Sequence, residues 1–174
     1  MIDLYQLSTI WNCPTGKIAA HEITEMNECL EKFDINSLSR QHHFFAQISH
    51  ESGGGRWKME LADGWAYEWR EDLGNVHQGD GPKYKGAGYL QTTGRFNYER
   101  LAKYLNDPKV MDGCEYVASR YPFTAAGFWW MDNSMNTLCD TMPSVEAVTV
   151  RVNGGYNGLE DRKMYFKRAQ SVIL

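Results

Sequence analysis

The chain has 174 residues, 43% hydrophobic and 23% charged, which is an ordinary globular composition and enough length for one substantial core. Its net charge of −4, with no long lysine or arginine cluster, excludes a general nucleic-acid binder, which needs a basic surface to displace counterions. No apolar run is long enough to span a bilayer, so membrane insertion is not expected.

The first 17 residues lack the basic start and long apolar stretch of a secretory signal. The expectation is a protein made and folded in a cytoplasm. Free, buried thiols are then expected for Cys13, Cys29, Cys114 and Cys139, with Cys13–Cys29 or Cys114–Cys139 open as pairings after release. No CxxC pair exists, so the cysteines match no zinc motif.

In chain order, Ile18, Ile23, Met26, Leu30 and Phe33 recur at helical spacing and predict a helix over 17–33. A second helix is predicted from Ser39, read as its N-cap, to Glu51, with Phe44, Phe45 and Ile48 on its apolar side. Ser52-Gly53-Gly54-Gly55 stops it. Residues 56–84 read as irregular, with a turn at Gly79–Pro82, and Tyr84–Leu90 as a short extended piece. Helical spacing returns over 94–105, and further helices fit Pro122–Asp132, Ser144–Val152 and Leu159–Val172. Strand signals are weak, and no repeat or linker divides the chain. The fold class is therefore all-α with long loops, one domain over 1–174, and no separate wall-binding module is expected.

Among the acids, Glu51 stands out. It ends an apolar helix just before glycines that let a ligand approach, and Gln47, one turn earlier, is placed to hydrogen-bond it. The helix C-terminus disfavours a carboxylate, which suits a general acid. Glycosidic hydrolysis usually needs a second carboxylate. Glu60, Asp63, Glu68, Glu71 and Asp72 all follow closely, and spacing alone leaves them open. His42, His43 and His50 do not form HExxH, and no metal or cofactor is expected.

The segment His50-Glu51-Ser52-Gly53-Gly54 resembles the catalytic segment of the family 19 chitinases and the related phage and bacterial endolysins. The block Tyr67–Asn75 is similar to one in the bacterial members. The glycine-rich run from Gly79 to Tyr98, ending Gln91-Thr92-Thr93-Gly94-Arg95-Phe96-Asn97-Tyr98, resembles the family's second signature. Val152–Gly155 and Asp161-Arg162, with Tyr165 and Arg168, resemble its closing helices, so the likeness spans roughly 38–170. One departure is Ala87, where the family often has arginine between the two glycines.

The resemblance implies a lysozyme-like helical fold with a deep cleft between two lobes. It implies an inverting mechanism with Glu51 as the acid and Glu60, nine residues on, as the base; Glu68 and Glu71 are rivals. It gives Thr93 to the attacking water, and Gln91, Asn97, Tyr98, Asn153, Arg162 and Glu68 to the cleft lining or to orienting the carboxylates. In such a site the carboxyl groups should lie roughly 6.5–9.5 Å apart. The expected substrate is the glycan strand of bacterial peptidoglycan, cut by a monomeric endolysin. It would be held in the host cytoplasm before lysis and then reach the periplasm and cell wall. Chitin and an inactive glycan-binding role are the alternatives.

Overall fold

The computed structural model describes residues 1–174. Ten α-helices run in chain order: α1 Leu4–Trp11, α2 Ala20–Lys32, α3 Leu38–Glu51, α4 Asp80–Lys83, α5 Arg95–Leu105, α6 Cys114–Arg120, α7 Pro122–Asp132, α8 Met135–Asp140, α9 Val145–Asn153 and α10 Leu159–Val172. Short 3-10 turns lie at Thr15–Lys17, Trp65–Tyr67, Glu71–Leu73 and Pro108–Asp112. The only extended pairing is two isolated antiparallel bridges, Met59 with Ala87 and Ala87 with Thr92. The all-α expectation holds. The helices divide into two compact units, one of residues 1–56 and 130–174, the other of residues 57–129.

In the first unit, α1 starts on a reciprocal cap: Asp3 accepts from the Gln6 amide and Gln6 accepts from the Asp3 amide, each at 2.8 Å. α3 starts on Ser37, whose hydroxyl accepts from the Arg40 amide. The cap is therefore two residues earlier than expected. Ser39 lies inside the helix and donates to the Cys139 carbonyl at 2.7 Å. Every residue of α3 from His42 to Ser49 is buried, so α3 is a central helix rather than a one-sided one. Phe44 meets Trp130 edge-on at 5.3 Å and Phe45 at 5.9 Å, with Leu7, Ile10, Met26 and Ile35 completing the core.

After Ser52 the chain turns through Gly53, Gly54 and Gly55, all at positive φ. A side chain at Gly55 would collide with the Trp11 ring, 2.5 Å from a Cβ there, so this turn lies flush on α1. The predicted helix over 17–33 is shorter than expected. Ile18 is extended, and α2 begins at Ala20, where Glu22 reaches back to the Ala19 amide.

The second unit packs around tyrosines. Tyr84 and Tyr98 are buried with ring centroids 5.1 Å apart, and Tyr89 meets Phe123 at 4.6 Å. Gly79–Pro82, read as a turn, contributes to the four-residue helix α4. The extended piece at 84–90 is realised as the Ala87 bridges, paired with Thr92 through bonds of 3.0 and 2.8 Å. Ala87 is fully buried there, so the small residue that departs from the family pattern fits its place in the ladder. No disulfide joins the four cysteines; Cys29, Cys114 and Cys139 are buried.

Candidate functional site

Two clusters carry the residues singled out in the sequence, one in each unit. In the first unit, Glu51 closes α3 with its side chain 26% exposed and ion-paired to the wholly buried guanidinium of Arg162 on α10. The same guanidinium donates to the Gln47 amide oxygen, and the Gln47 amide nitrogen donates to the Thr149 hydroxyl at 3.4 Å. Its Nε donates to the Asn157 carbonyl at 3.2 Å. Gln47 therefore does not hold Glu51 directly, as its spacing suggested. It holds the arginine that does. Gln47, Thr149 and Arg162 are all fully buried, so the orientation of Glu51 is set from inside the unit.

One residue before each member of this ion pair stands a second pair. His50 Nδ1 lies 2.7 Å from Asp161 Oδ2. Consecutive His50-Glu51 and Asp161-Arg162 thus meet as two matched pairs, which fixes the end of α3 against the start of α10. The complementary dipeptides were visible in the sequence, but nothing there paired them. Gly158, at φ +68°, caps α10 so close to the His50 ring that no side chain fits. Asn153 closes α9 with an exposed side chain.

In the second unit, Glu60 is held from both ends. Its amide donates to the Gly86 carbonyl at 2.8 Å. Its carboxylate accepts from the Tyr67 hydroxyl at 2.9 Å on Oε1 and from the Gly86 amide at 3.2 Å on Oε2. A Cβ at Gly86 would press on the end of the Gln91 side chain and stand 3.2 Å from Glu60 Oε2, so a larger residue there would push both side chains aside. Burial, together with the Glu60 carboxylate, pushes the Tyr67 phenol up from its ordinary value.

Three residues expected at the site are chained together beside this: Thr93 donates to the Gln91 carbonyl at 2.8 Å, and Asn97 donates to the Thr93 carbonyl at 2.8 Å. Gln91 is one of seven non-glycine residues at positive φ, with its amide nitrogen on the Gly88 carbonyl at 3.1 Å. Using its only proton on Gln91 leaves the Thr93 hydroxyl as an acceptor toward solvent.

One expected ligand contact is corrected, and another residue expected at the site is found holding a loop. Tyr98 is fully buried, its hydroxyl donates to the Lys85 carbonyl at 2.7 Å, and it belongs to the core. Glu68 uses one carboxylate oxygen on the Gly79 amide at 2.7 Å and the other on the Gly81 amide at 2.8 Å, so it clamps a loop. Glu71, Asp72 and Asp63 are exposed, and Asp72 is paired with Arg70 at 2.6 Å.

The structure also assigns work to residues the sequence did not single out. Asp80 is buried and receives Arg95 through two bonds, of 2.6 and 2.9 Å, plus the Val76 and His77 amides. Chiefly the Arg95 hydrogen bond holds its carboxyl down at about 2. Asn75, buried next to it, donates to the Tyr67 carbonyl and accepts from the Arg95 amide, each at 2.8 Å. These residues lie inside the Tyr67–Asn75 and Gly79–Tyr98 blocks, but nothing in the sequence pairs them, because their partners come together only through the folded loop.

Each unit holds a fixed carboxyl, beside a buried arginine in the first and near a hydroxyl-bearing loop in the second, and general acid–base chemistry draws on groups of this kind. No protein-family model matches the chain. The chain is 31% identical over 189 residues to a glycosyl hydrolase family 19 domain-containing protein of Haemophilus influenzae, covering 86% of this chain and 90% of that one. It is 25% identical to chitinase 8 of Oryza sativa subsp. japonica, spanning only 57% of that protein's length. Its fold matches the crystal structure of a family 19, class IV chitinase from Zea mays with a TM-score of 0.75 at 18% identity, covering 98% of this chain and 91% of that one. With sequence likeness running nearly the full length of the Haemophilus protein, and with the same fold as the maize enzyme, the chain belongs to glycosyl hydrolase family 19 and is a glycoside hydrolase.

Proposed function

We propose that this glycoside hydrolase cuts β-1,4 bonds in the glycan strands of bacterial peptidoglycan by an inverting mechanism. Glu51 protonates the leaving oxygen, Glu60 takes a proton from the attacking water, and the Thr93 hydroxyl helps hold that water. The observation that carries the reading is the buried Gln47–Arg162–Glu51 chain. This hydrogen-bonded chain fixes the direction of the Glu51 carboxyl from inside the first unit, as proton transfer to a defined oxygen requires, and the guanidinium partners the charge left once the proton has gone. Glu60 is supported as the base over Glu68 because it binds Gly86, next to the Ala87–Thr92 bridge that leads to Gln91 and Thr93, whereas Glu68 binds the Gly79 and Gly81 amides of another loop.

The peptidoglycan reading rests on the resemblance of the His50–Gly54 and Gly79–Tyr98 segments to the endolysins; the Haemophilus relative is named for its family alone. The named chitinases among the relatives favour chitin as the second reading, since both polymers carry β-1,4-linked N-acetylglucosamine. The biological role proposed is lysis of a bacterial host by a phage-type endolysin.

The test compares wild type and Glu51→Gln on purified cell walls and on chitin oligomers, reading reducing ends and the anomer first formed. New reducing ends from walls, the inverted anomer and loss of at least about 100-fold in the variant are expected. Cleavage of chitin but not of walls would transfer the activity to chitin. Equal rates for both proteins would remove Glu51 from the chemistry.

A further inference from the structure

The loop that carries Glu60 has no helix to hold its side chain. A glutamate has three side-chain torsions, the last of them broad, so a free Glu60 carboxylate would sample many orientations. Two donors restrict it here, one on each oxygen: the Tyr67 hydroxyl on Oε1 and the Gly86 amide on Oε2. Each oxygen keeps a further acceptor site, so the carboxylate can still receive a proton from water while its plane is fixed.

The hydroxyl that does this is itself built in. Tyr67 ends the 3-10 turn Trp65–Tyr67, and its carbonyl is gripped by the buried Asn75 amide at 2.8 Å. Asn75 is tied in turn to the Arg95 amide, and Arg95 to the buried Asp80. On the next residue, the Glu68 carboxylate pins the chain to the Gly79 and Gly81 amides. Neither Tyr67 nor Glu68 contributes much to a hydrophobic core. The hydrogen-bonded frame around them ends on one functional group, the phenol facing Glu60.

We propose that Tyr67 is a positioning residue for the general base: its hydroxyl donates to Glu60 and holds the carboxylate in the orientation that accepts a proton from the attacking water. The inference rests on Glu60 being that base. The phenol donates in this pair, because a carboxylate acting as a base has no proton to offer and burial beside Glu60 raises the Tyr67 pKa, which keeps the phenol proton in place. Tyr67 acts through Glu60 and not on the sugar, so its loss lowers turnover without weakening substrate binding.

The experiment measures kcat and KM for wild type, Tyr67→Phe, Glu60→Gln and the double variant on a soluble glycan substrate. Thermal melts confirm that each protein is folded. Tyr67→Phe keeps the ring and removes one oxygen; kcat is expected to fall about 10- to 100-fold, as for a base displaced by a fraction of an ångström, with KM within about threefold. In the Glu60→Gln background the same substitution should add less than about twofold, because the group it positions is gone. A 2,3-difluorotyrosine at position 67, which retains the donor, should restore turnover, and it provides the reading if Tyr67→Phe does not fold.

Tyr67→Phe with wild-type kcat would overturn the proposal. So would an equal loss in the two backgrounds, which would mean a purely structural contribution. If Glu60→Gln alone were fully active, the base assignment would fail first. If Glu60→Gln is inactive and Tyr67→Phe unchanged, the base stands and only the positioning role falls.

Discussion

Acidification should destabilise this protein through one buried histidine. His43 lies in α3, 1% exposed, with its ring against Phe166 at 4.6 Å. Its Nε2 faces the Pro143 carbonyl at 3.2 Å, so that nitrogen carries the proton of the neutral ring. Its Nδ1 is buried with no hydrogen-bond partner. Protonation would therefore create a buried cation with an N–H that nothing accepts. Burial accordingly pulls the histidine down from its ordinary 6.5 to about 4, outweighing the Pro143 hydrogen bond, with His42 adding to the effect.

Because the folded-state value is the lower one, the unfolded chain binds the extra proton between pH 6.5 and 4. The stabilising contribution is complete above pH 6.5 and is lost as the pH falls toward 4. At 1.36 kcal/mol per unit the full loss is about 3 kcal/mol, of which about 2 kcal/mol is already gone at pH 5. For a chain of this size the loss by pH 5 corresponds to roughly 4–8 °C in Tm and the full loss to roughly 6–12 °C. Thermal melts of wild type and His43→Gln at intervals from pH 7 to pH 4 check it. The variant begins less stable, but its curve should be flatter by the stated amount. Parallel curves would refute the reasoning, whatever the absolute stabilities.

Other outcomes follow from the same geometry. Arg162→Leu should abolish measurable hydrolysis and cost about 3–5 kcal/mol of stability by urea denaturation, because Glu51 and Gln47 lose the same buried partner. Glu68→Gln should destabilise by about 1–3 kcal/mol while keeping substantial turnover, since its oxygens serve the Gly79 and Gly81 amides; a folded but inactive variant would return Glu68 to the chemistry. Gly158→Ala should lower Tm and turnover together by displacing His50, which is read by melts and steady-state kinetics. A reductant should leave Tm unchanged, and thiol titration in denaturant should count four thiols per chain.

The sequence by itself determined the helical class and the two longest late helices. Their apolar spacing is a local feature; α7 and α10 begin and end where periodicity put them, and the helix expected from Ser144 is α9, which that serine caps. It also marked Glu51, because a glutamate between an apolar helix and a glycine run is written in consecutive residues. The helices α1, α6 and α8 were not separated from their surroundings, being short and without strong periodicity.

What only the tertiary structure decided is which polar atoms meet. Arg162 finds Glu51 across 111 residues of chain, and Asp80, Asn75 and Arg95 close a loop around Tyr67. α3 is buried on all sides through His42–Ser49, although its sequence shows one apolar stripe. Hydrophobic periodicity is a property of neighbours along the chain and survives in the sequence. Hydrogen-bond partnership of buried polar groups is a property of distance in space, and it exists only once packing has excluded the water that would otherwise satisfy them.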